Sequence, residues 1–142
     1  MQIVNFLPDH LNDIIAIEKS SFPKPWTKEM FLGSAGNKLV SFIVAVEENK
    51  VIGYCLFSII CETAEILNIA VSPDFRGGGF AKQMLEYVID KIKNNGVKNI
   101  LLDVRVSNTA AKQLYAKFGF QAFGVRKNYY GNEDGLALRK IL

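Results

Sequence analysis

Hydrophobic and polar residues repeat along this chain with two different periods, which divide it into strands and helices. Strand-like apolar runs cover residues 2–6, 39–60, 64–71, 97–106, 120–130 and 135–142, and a tight turn at residues 47–50 splits the second run into two strands. Helical spacing covers residues 8–22, 28–35, 79–95 and 107–119. The predicted order, β-α-α-β-β-β-α-β-α-β-β, combines antiparallel hairpins with one β-α-β crossover. It indicates an α+β fold in a single domain spanning residues 1–142.

Short polar residues mark the predicted helix starts. Asp9 and Thr27 are candidate N-caps of the first two helices, and Ser107 or Asn108 is the candidate for the last. Gly96 and Gly119 follow the last two helical patterns and are typical helix ends.

Composition and charge limit the possible functions. The chain has 142 residues, is 49% hydrophobic and carries a formal net charge of +3. This charge suits an anionic cofactor but falls short of the clustered basic surface of a nucleic-acid-binding protein. No apolar run approaches the roughly 20 residues that span a bilayer, and the start lacks a secretory signal pattern. We therefore expect a cytoplasmic protein, a monomer or weak dimer, without direct binding to membranes or nucleic acid.

Metal and disulfide chemistry have little support in the sequence. Cys55 and Cys61 both lie in apolar, strand-like sequence, which predicts two buried free thiols. His10 is the single histidine and no Cys-x-x-Cys occurs, so no metal site is expected.

Three consecutive glycines, Gly77 to Gly79, separate a predicted strand from a long predicted helix, with Arg76 and Lys82 on either side. Free N–H groups at a helix start, the helix dipole and bare glycine backbone together favour phosphate binding. The stretch lacks the Gly-Lys-Ser/Thr of a Walker A loop, and Lys82 replaces the last glycine of a dinucleotide fingerprint. A third pattern, Arg/Gln-x-x-Gly-x-Gly/Ala, is matched by "RGGGFA" at residues 76–81. A flexible turn before a helix is the alternative interpretation.

Four segments in order carry a resemblance to one superfamily. "ILNIAVSPDFRGGGFAKQML" and "LDVRVSNTAAKQLYAKFGF" resemble the core of the GNAT superfamily of N-acetyltransferases. "FPKPW" and "RKNYY" resemble its ribosomal-protein-alanine N-acetyltransferase branch. The resemblance implies a GNAT-type mixed sheet with flanking helices, acetyl-CoA as co-substrate without a metal, and a protein N-terminus as acceptor.

The resemblance also implies which residues hold acetyl-CoA. The strand at Ile69, Ala70 and Val71 would pair with the pantetheine arm, and Asn108 would contact the cofactor. The pyrophosphate would lie on the turn formed by Arg76, Gly77, Gly78, Gly79, Phe80, Ala81 and Lys82.

Three residues are candidates for the general acid and the general base of acetyl transfer. Tyr115 matches the general acid beside the sulfur, although a tyrosine at this helical position could also belong to the core. Asp103 lies where the branch usually has glutamate as general base; its side chain is one methylene shorter, which favours proton transfer through a bridging water. Asp103 could instead pair with Arg105 or cap nearby backbone. Glu65, where histone-type members carry their base, is the rival candidate and could equally be an exposed strand residue.

Four aromatic residues are candidates for the acceptor cleft: Phe22, Trp26, Tyr129 and Tyr130. Packing of the loops against the core is the alternative interpretation. The segment after Tyr130 has only Gly131 and Asn132 before Glu133, which is shorter than in the resembling branch and affects peptide specificity. The implied function is acetylation of the N-terminal alanine of a ribosomal protein. The alternatives are an acetyltransferase for a small amine or another protein, and a coenzyme A-binding regulatory module without turnover.

Overall fold

The computed structural model describes residues 1–142 and arranges seven strands and four α-helices in the predicted order. The strands are β1 Gln2–Asn5, β2 Val40–Glu47, β3 Lys50–Ile60, β4 Thr63–Val71, β5 Asn99–Arg105, β6 Gln121–Arg126 and β7 Gly135–Ile141. The helices are α1 Leu11–Ser21, α2 Lys28–Ala35, α3 Phe80–Lys93 and α4 Thr109–Lys117. All seven strands belong to one mixed sheet, so the predicted α+β class with flanking helices is confirmed.

The predicted helix starts are confirmed in two of three cases. The Thr27 hydroxyl accepts the Met30 N–H at 3.2 Å, and the Asn108 side-chain oxygen accepts the Ala111 N–H at the same distance. Asp9 is not an N-cap, because a 3-10 turn at Pro8–His10 precedes α1 and makes His10 its N-cap.

The strand order is β1-β2-β3-β4-β5-β7-β6, and only β4 and β5 run parallel. These two strands pair over residues 63–65 and 99–101 and then separate, although β4 continues to Val71 and β5 to Arg105. Each remains paired on its outer side, β4 with β3 and β5 with β7. The sheet therefore opens into a wedge at its centre.

A β-bulge in β4 lies inside this wedge. Leu56 of β3 pairs with Asn68 and Phe57 pairs with Ile66, which leaves Leu67 as an extra residue. A bulge bends its strand and increases the local twist. The bulge at Leu67 thus bends β4 in the segment that no longer pairs with β5.

Helices cover both faces of the sheet, so the central strands are apolar on both sides. On β3, Tyr54 and Leu56 pack in the cluster beneath α1 and α2, while Cys55 and Phe57 belong to the cluster beneath α3. Burial raises the pKa of the Cys55 thiol, so this side chain stays neutral. Cys61 is free but exposed, in the turn between β3 and β4, so its predicted burial is wrong. None of the helices has both the length and the apolar character that a membrane crossing requires.

Candidate active site

A cavity of about 580 Å³ occupies the wedge between β4 and β5. Its walls come from the segment between α1 and α2, the outer half of β4, the glycine turn, the end of β5 and α4. Fifteen of the predicted site residues line it: Phe22, Trp26, Ile69, Ala70, Val71, Arg76, Gly77, Gly79, Phe80, Ala81, Lys82, Asp103, Asn108, Tyr115 and Tyr130. Gly78, Glu65 and Tyr129 are not among its lining residues.

The glycine turn presents a row of free donors to this cavity. None of the backbone N–H groups from Gly77 to Lys82 hydrogen-bonds to another group of the protein, and the first bonded amide after the turn is that of Gln83. The last three belong to the first turn of α3, where the helix dipole adds partial positive charge. Five of these six donors belong to residues that line the cavity, and such a row of free N–H groups fits a pyrophosphate.

Glycine is required at two positions of this turn. Gly77 and Gly79 both have φ +81°, a left-handed conformation in which other residues are strained. A Cβ built on either would meet no atom within 4 Å, so the space beside the donors is open. Gly79 is the N-cap of α3 and has no side chain that could compete for its amides.

The two cations beside the turn differ in their surroundings. The Arg76 Nε donates to the Val71 carbonyl at 3.2 Å, and its terminal nitrogen donates to the Ser21 hydroxyl at 2.9 Å. Arg76 therefore ties the turn to the end of α1. Lys82 is exposed on the first turn of α3 and has no carboxylate within salt-bridge distance, so it is the freer of the two for an anion.

The outer half of β4 has an unpaired edge that faces β5 across the wedge. Ile69, Ala70 and Val71 pair with β3 on one side only. Part of this edge is already used, because the Val71 carbonyl accepts Arg76. The remaining amide groups can pair with an extended ligand as a further strand would.

Tyr115 projects from α4 into the cavity and is only 6% exposed. Burial raises the pKa of its phenol well above the ordinary value, so the group is a protonated donor at neutral pH. Asn108, at the start of the same helix, uses its side-chain oxygen as N-cap and has amide hydrogens without a protein partner.

Asp103 lies on β5 with its side chain 14% exposed. Its carboxylate accepts the Arg126 Nε at 2.8 Å, so its partner is Arg126, and the alternative pairing with Arg105 does not occur. Arg105 instead binds Glu133 and Asn132, both at 2.9 Å, and lies over the Tyr130 ring at 4.4 Å. These contacts hold the short loop between β6 and β7 against the end of β5.

Glu65 lies outside the cavity. It is exposed and pairs with Leu101 where β4 and β5 are still joined, at the closed end of the wedge. The pKa of the Arg126 guanidinium is raised, chiefly by its hydrogen bond to Asp103, and Glu65 contributes the smallest of the effects. Of the two predicted carboxylates, the cavity therefore contains Asp103.

The four aromatic candidates for the acceptor cleft also lie partly inside and partly outside the cavity. Phe22, Trp26 and Tyr130 are half-buried and line the cavity, whereas Tyr129 is 53% exposed and stacks on Arg126 outside it. Burial, followed by the charge of Asp103, raises the pKa of Tyr130 to about 12, so this phenol is also protonated at neutral pH.

Glu18, which the sequence patterns did not single out, is the second carboxylate in the cavity. It is 1% exposed and accepts hydrogen bonds from Tyr54, Asn68 and the backbone of Trp26. The signal was present in the sequence, because Glu18 follows Ile14 by four residues and so lies on the apolar stripe of α1.

Comparison with known proteins agrees with this geometry. The family model described as "Acetyltransferase (GNAT) family" matches residues 11–120. A "[Ribosomal protein bS18]-alanine N-acetyltransferase" of Haemophilus ducreyi is 32% identical over 133 residues, covering 94% of this chain and 91% of that protein.

Two solved structures have the same fold over nearly their whole length. The ribosomal-protein-S18-alanine N-acetyltransferase from Escherichia coli superposes with a TM-score of 0.91 at 27% identity, covering 99% of this chain and 92% of the other. A GNAT family acetyltransferase from Elizabethkingia anophelis, with acetyl-CoA bound, has a TM-score of 0.82 at 25% identity, covering 99% and 97%. The resemblance stated from the sequence is confirmed: this chain belongs to the GNAT family of acetyltransferases and is an acyltransferase.

Proposed function

We propose that this enzyme transfers the acetyl group of acetyl-CoA to the α-amino group of an N-terminal alanine, with ribosomal protein bS18 as acceptor. Similarity to the [ribosomal protein bS18]-alanine N-acetyltransferase of Haemophilus ducreyi supports this acceptor. The single observation that supports the reaction most is the wedge between β4 and β5, which is lined both by the glycine turn with its free N–H groups and by aromatic side chains. A ribosomal acceptor would place the enzyme in the cytoplasm.

The donor site is assigned to the turn and to β4. The N–H groups from Gly77 to Lys82 would bind the pyrophosphate, and the backbone groups of Ile69 and the N–H of Val71, which point away from β3, would pair with the pantetheine amides. Bound acetyl-CoA supplies an activated acetyl group as a thioester. Asn108, with free amide hydrogens beside the cavity, would donate to the same ligand.

The proton transfers are assigned to Asp103 and Tyr115. A peptide α-amino group has a pKa of about 7.7–8.0, so much of it is protonated near neutral pH. Asp103 would remove this proton through a bridging water, because its side chain is short and its carboxylate is held by Arg126. Tyr115, kept protonated by burial, would donate a hydrogen bond to the leaving sulfur.

The acceptor is assigned to the space between the α1–α2 segment and the β6–β7 loop. Phe22, Trp26 and Tyr130 would pack on the first residues of the peptide. The Lys24 ammonium lies against Gly131, so the two loops approach each other over this end of the cavity. Because this contact limits the space beside the aromatic residues, it is consistent with a small first residue such as alanine.

The test is incubation with acetyl-CoA and a short alanine-started peptide taken from bS18, monitored by thiol release and by the mass of the peptide. The matched control is the same peptide with its α-amino group blocked. We expect acetylation of the free peptide only. Thiol release with polyamines but with no peptide would indicate a small-amine enzyme, and tight acetyl-CoA binding without release with any amine would indicate a regulatory module.

A further inference from the structure

Glu18 holds the segment between α1 and α2 by hydrogen bonds that no other residue supplies. Its carboxylate accepts the Trp26 N–H at 2.9 Å, and its backbone carbonyl accepts the Phe22 N–H at 3.1 Å. Pro23 and Pro25 have no N–H to donate, and the Lys24 amide has no partner. From residue 23 to residue 26, the bond to Glu18 is therefore the single hydrogen bond between this segment and the rest of the protein.

The same carboxylate contacts the donor side of the cavity. Its other oxygen accepts Asn68 at 2.8 Å, and Asn68 follows the bulge of β4. Tyr54 of β3 donates to that oxygen at 2.5 Å. Burial, with the charge of Glu18 as the next cause, raises the pKa of Tyr54, so Tyr54 remains a donor.

The carboxylate is held by neutral donors alone. The four salt bridges of the protein join other groups, so no cation lies within 4.0 Å of Glu18. A carboxyl group kept buried by three hydrogen bonds orders the groups that donate them. Here those groups are one backbone amide of the aromatic segment and two side chains of β3 and β4.

We propose that Glu18 is a positioning residue, which fixes the aromatic segment 22–26 against β4 so that the acceptor peptide meets the acetyl group. This inference rests on the proposed function, since it assigns segment 22–26 to the acceptor. Glu18 would act through the Trp26 backbone and Asn68 and would neither take a proton nor contact the sulfur.

The decisive comparison is between Glu18→Gln and Glu18→Met. Glutamine keeps an acceptor for the Trp26 N–H, and its NH2 group can donate to the Tyr54 hydroxyl oxygen and, once the Asn68 amide is rotated, to the Asn68 side-chain oxygen, whereas methionine has a similar length but no such acceptor. We expect the peptide KM of Glu18→Gln to stay within about threefold of the wild-type value and that of Glu18→Met to rise about tenfold, which corresponds to the loss of one hydrogen bond. In both variants kcat and the affinity for acetyl-CoA should be nearly unchanged. This is the pattern expected when the lost interaction binds the peptide equally well in the ground state and in the transition state.

Methionine leaves three donors without their acceptor, two of them the buried side chains of Tyr54 and Asn68, which can prevent folding, so a second pair of variants is needed. Tyr54→Phe removes one of these donors and leaves the Trp26 bond intact. The double variant Tyr54→Phe/Glu18→Met then removes the Glu18 carboxylate from a site that already lacks the Tyr54 hydroxyl. The double variant should show the tenfold rise in peptide KM relative to Tyr54→Phe alone.

Trp26 is the single tryptophan of the chain and gives a readout that needs no turnover. Acrylamide should quench its fluorescence more strongly in Glu18→Met than in the wild type or Glu18→Gln. If the wild type acetylates no alanine peptide, the proposed function fails while this measurement still tests whether Glu18 orders the segment. A large loss of kcat in Glu18→Gln would make the charge essential and overturn the proposal, as would unchanged peptide KM and quenching in the variants that lack the acceptor.

Discussion

Replacing Gly79 with aspartate tests the assignment of the glycine turn to the pyrophosphate. Gly79 is the N-cap of α3, and the space beside its Cα is open toward the cavity. An aspartate there places a carboxylate among the free N–H groups of the first helical turn, where N-cap side chains usually bond the amides two and three residues on. These amides belong to Ala81 and Lys82. The new carboxylate would occupy the donors that bind the ligand and would repel its charge.

The size of the effect follows from the donors lost. A hydrogen bond to a charged group contributes about 1.5–3 kcal/mol, so the loss of two such bonds costs about 3–6 kcal/mol. Since about 1.4 kcal/mol corresponds to a factor of ten in Kd, we expect the Kd for acetyl-CoA to rise about 10²–10⁴-fold. The left-handed backbone at this residue adds about 1–2 kcal/mol of strain for most side chains, less for aspartate or asparagine.

Isothermal titration calorimetry with acetyl-CoA measures this change, and the thermal unfolding midpoint without ligand checks the fold. Gly79→Asn is the matched control, because asparagine has the same shape, caps helices equally well and tolerates positive φ but carries no charge, so it should occupy the same two amides without repelling the ligand. We expect the asparagine variant to bind at least tenfold more tightly than the aspartate variant, with both folded. Unchanged affinity in Gly79→Asp, or equal losses in both variants, would refute the charge-based reasoning.

Three further perturbations test the chemistry and the core. Tyr115→Phe should lower kcat about 10²-fold with little change in the Kd for acetyl-CoA, and a kcat near that of the wild type in the peptide assay would exclude Tyr115 as the proton donor. Asp103→Asn should lower kcat/KM at least about tenfold, whereas Arg126→Gln should change it less than about threefold. Equal losses of kcat/KM in both variants would mean that the ion pair between Asp103 and Arg126 has only a structural role. Phe31→Ala should cost about 3–5 kcal/mol in urea unfolding, since Phe31 is fully buried among aromatic rings. The exposed control Phe123→Ala should cost less than about 0.5 kcal/mol, so similar losses in the two would contradict the assignment of this core.

The sequence alone determined the features that depend on neighbouring residues. Apolar periodicity gave the order of the elements, because most helices and strands need a buried face regardless of where they lie in the fold. The glycine turn is equally local: a strand, three glycines and a helix start place free N–H groups together within six residues. For this reason the proposal that this turn binds a phosphate group needs no knowledge of tertiary contacts.

Only the tertiary structure decided which distant side chains meet. Asp103 pairs with Arg126 and not with Arg105, because β7 and β6 lie beside β5 and bring Arg126 across the sheet. Glu65 falls outside the cavity because β4 and β5 are still paired at its position and separate only beyond it. Glu18 binds Asn68, fifty residues further along the chain, since α1 packs over the bent part of β4. Periodicity in the sequence shows which face of an element is buried. The point at which β4 and β5 separate depends instead on the pairing of the whole sheet, and this separation creates the cavity.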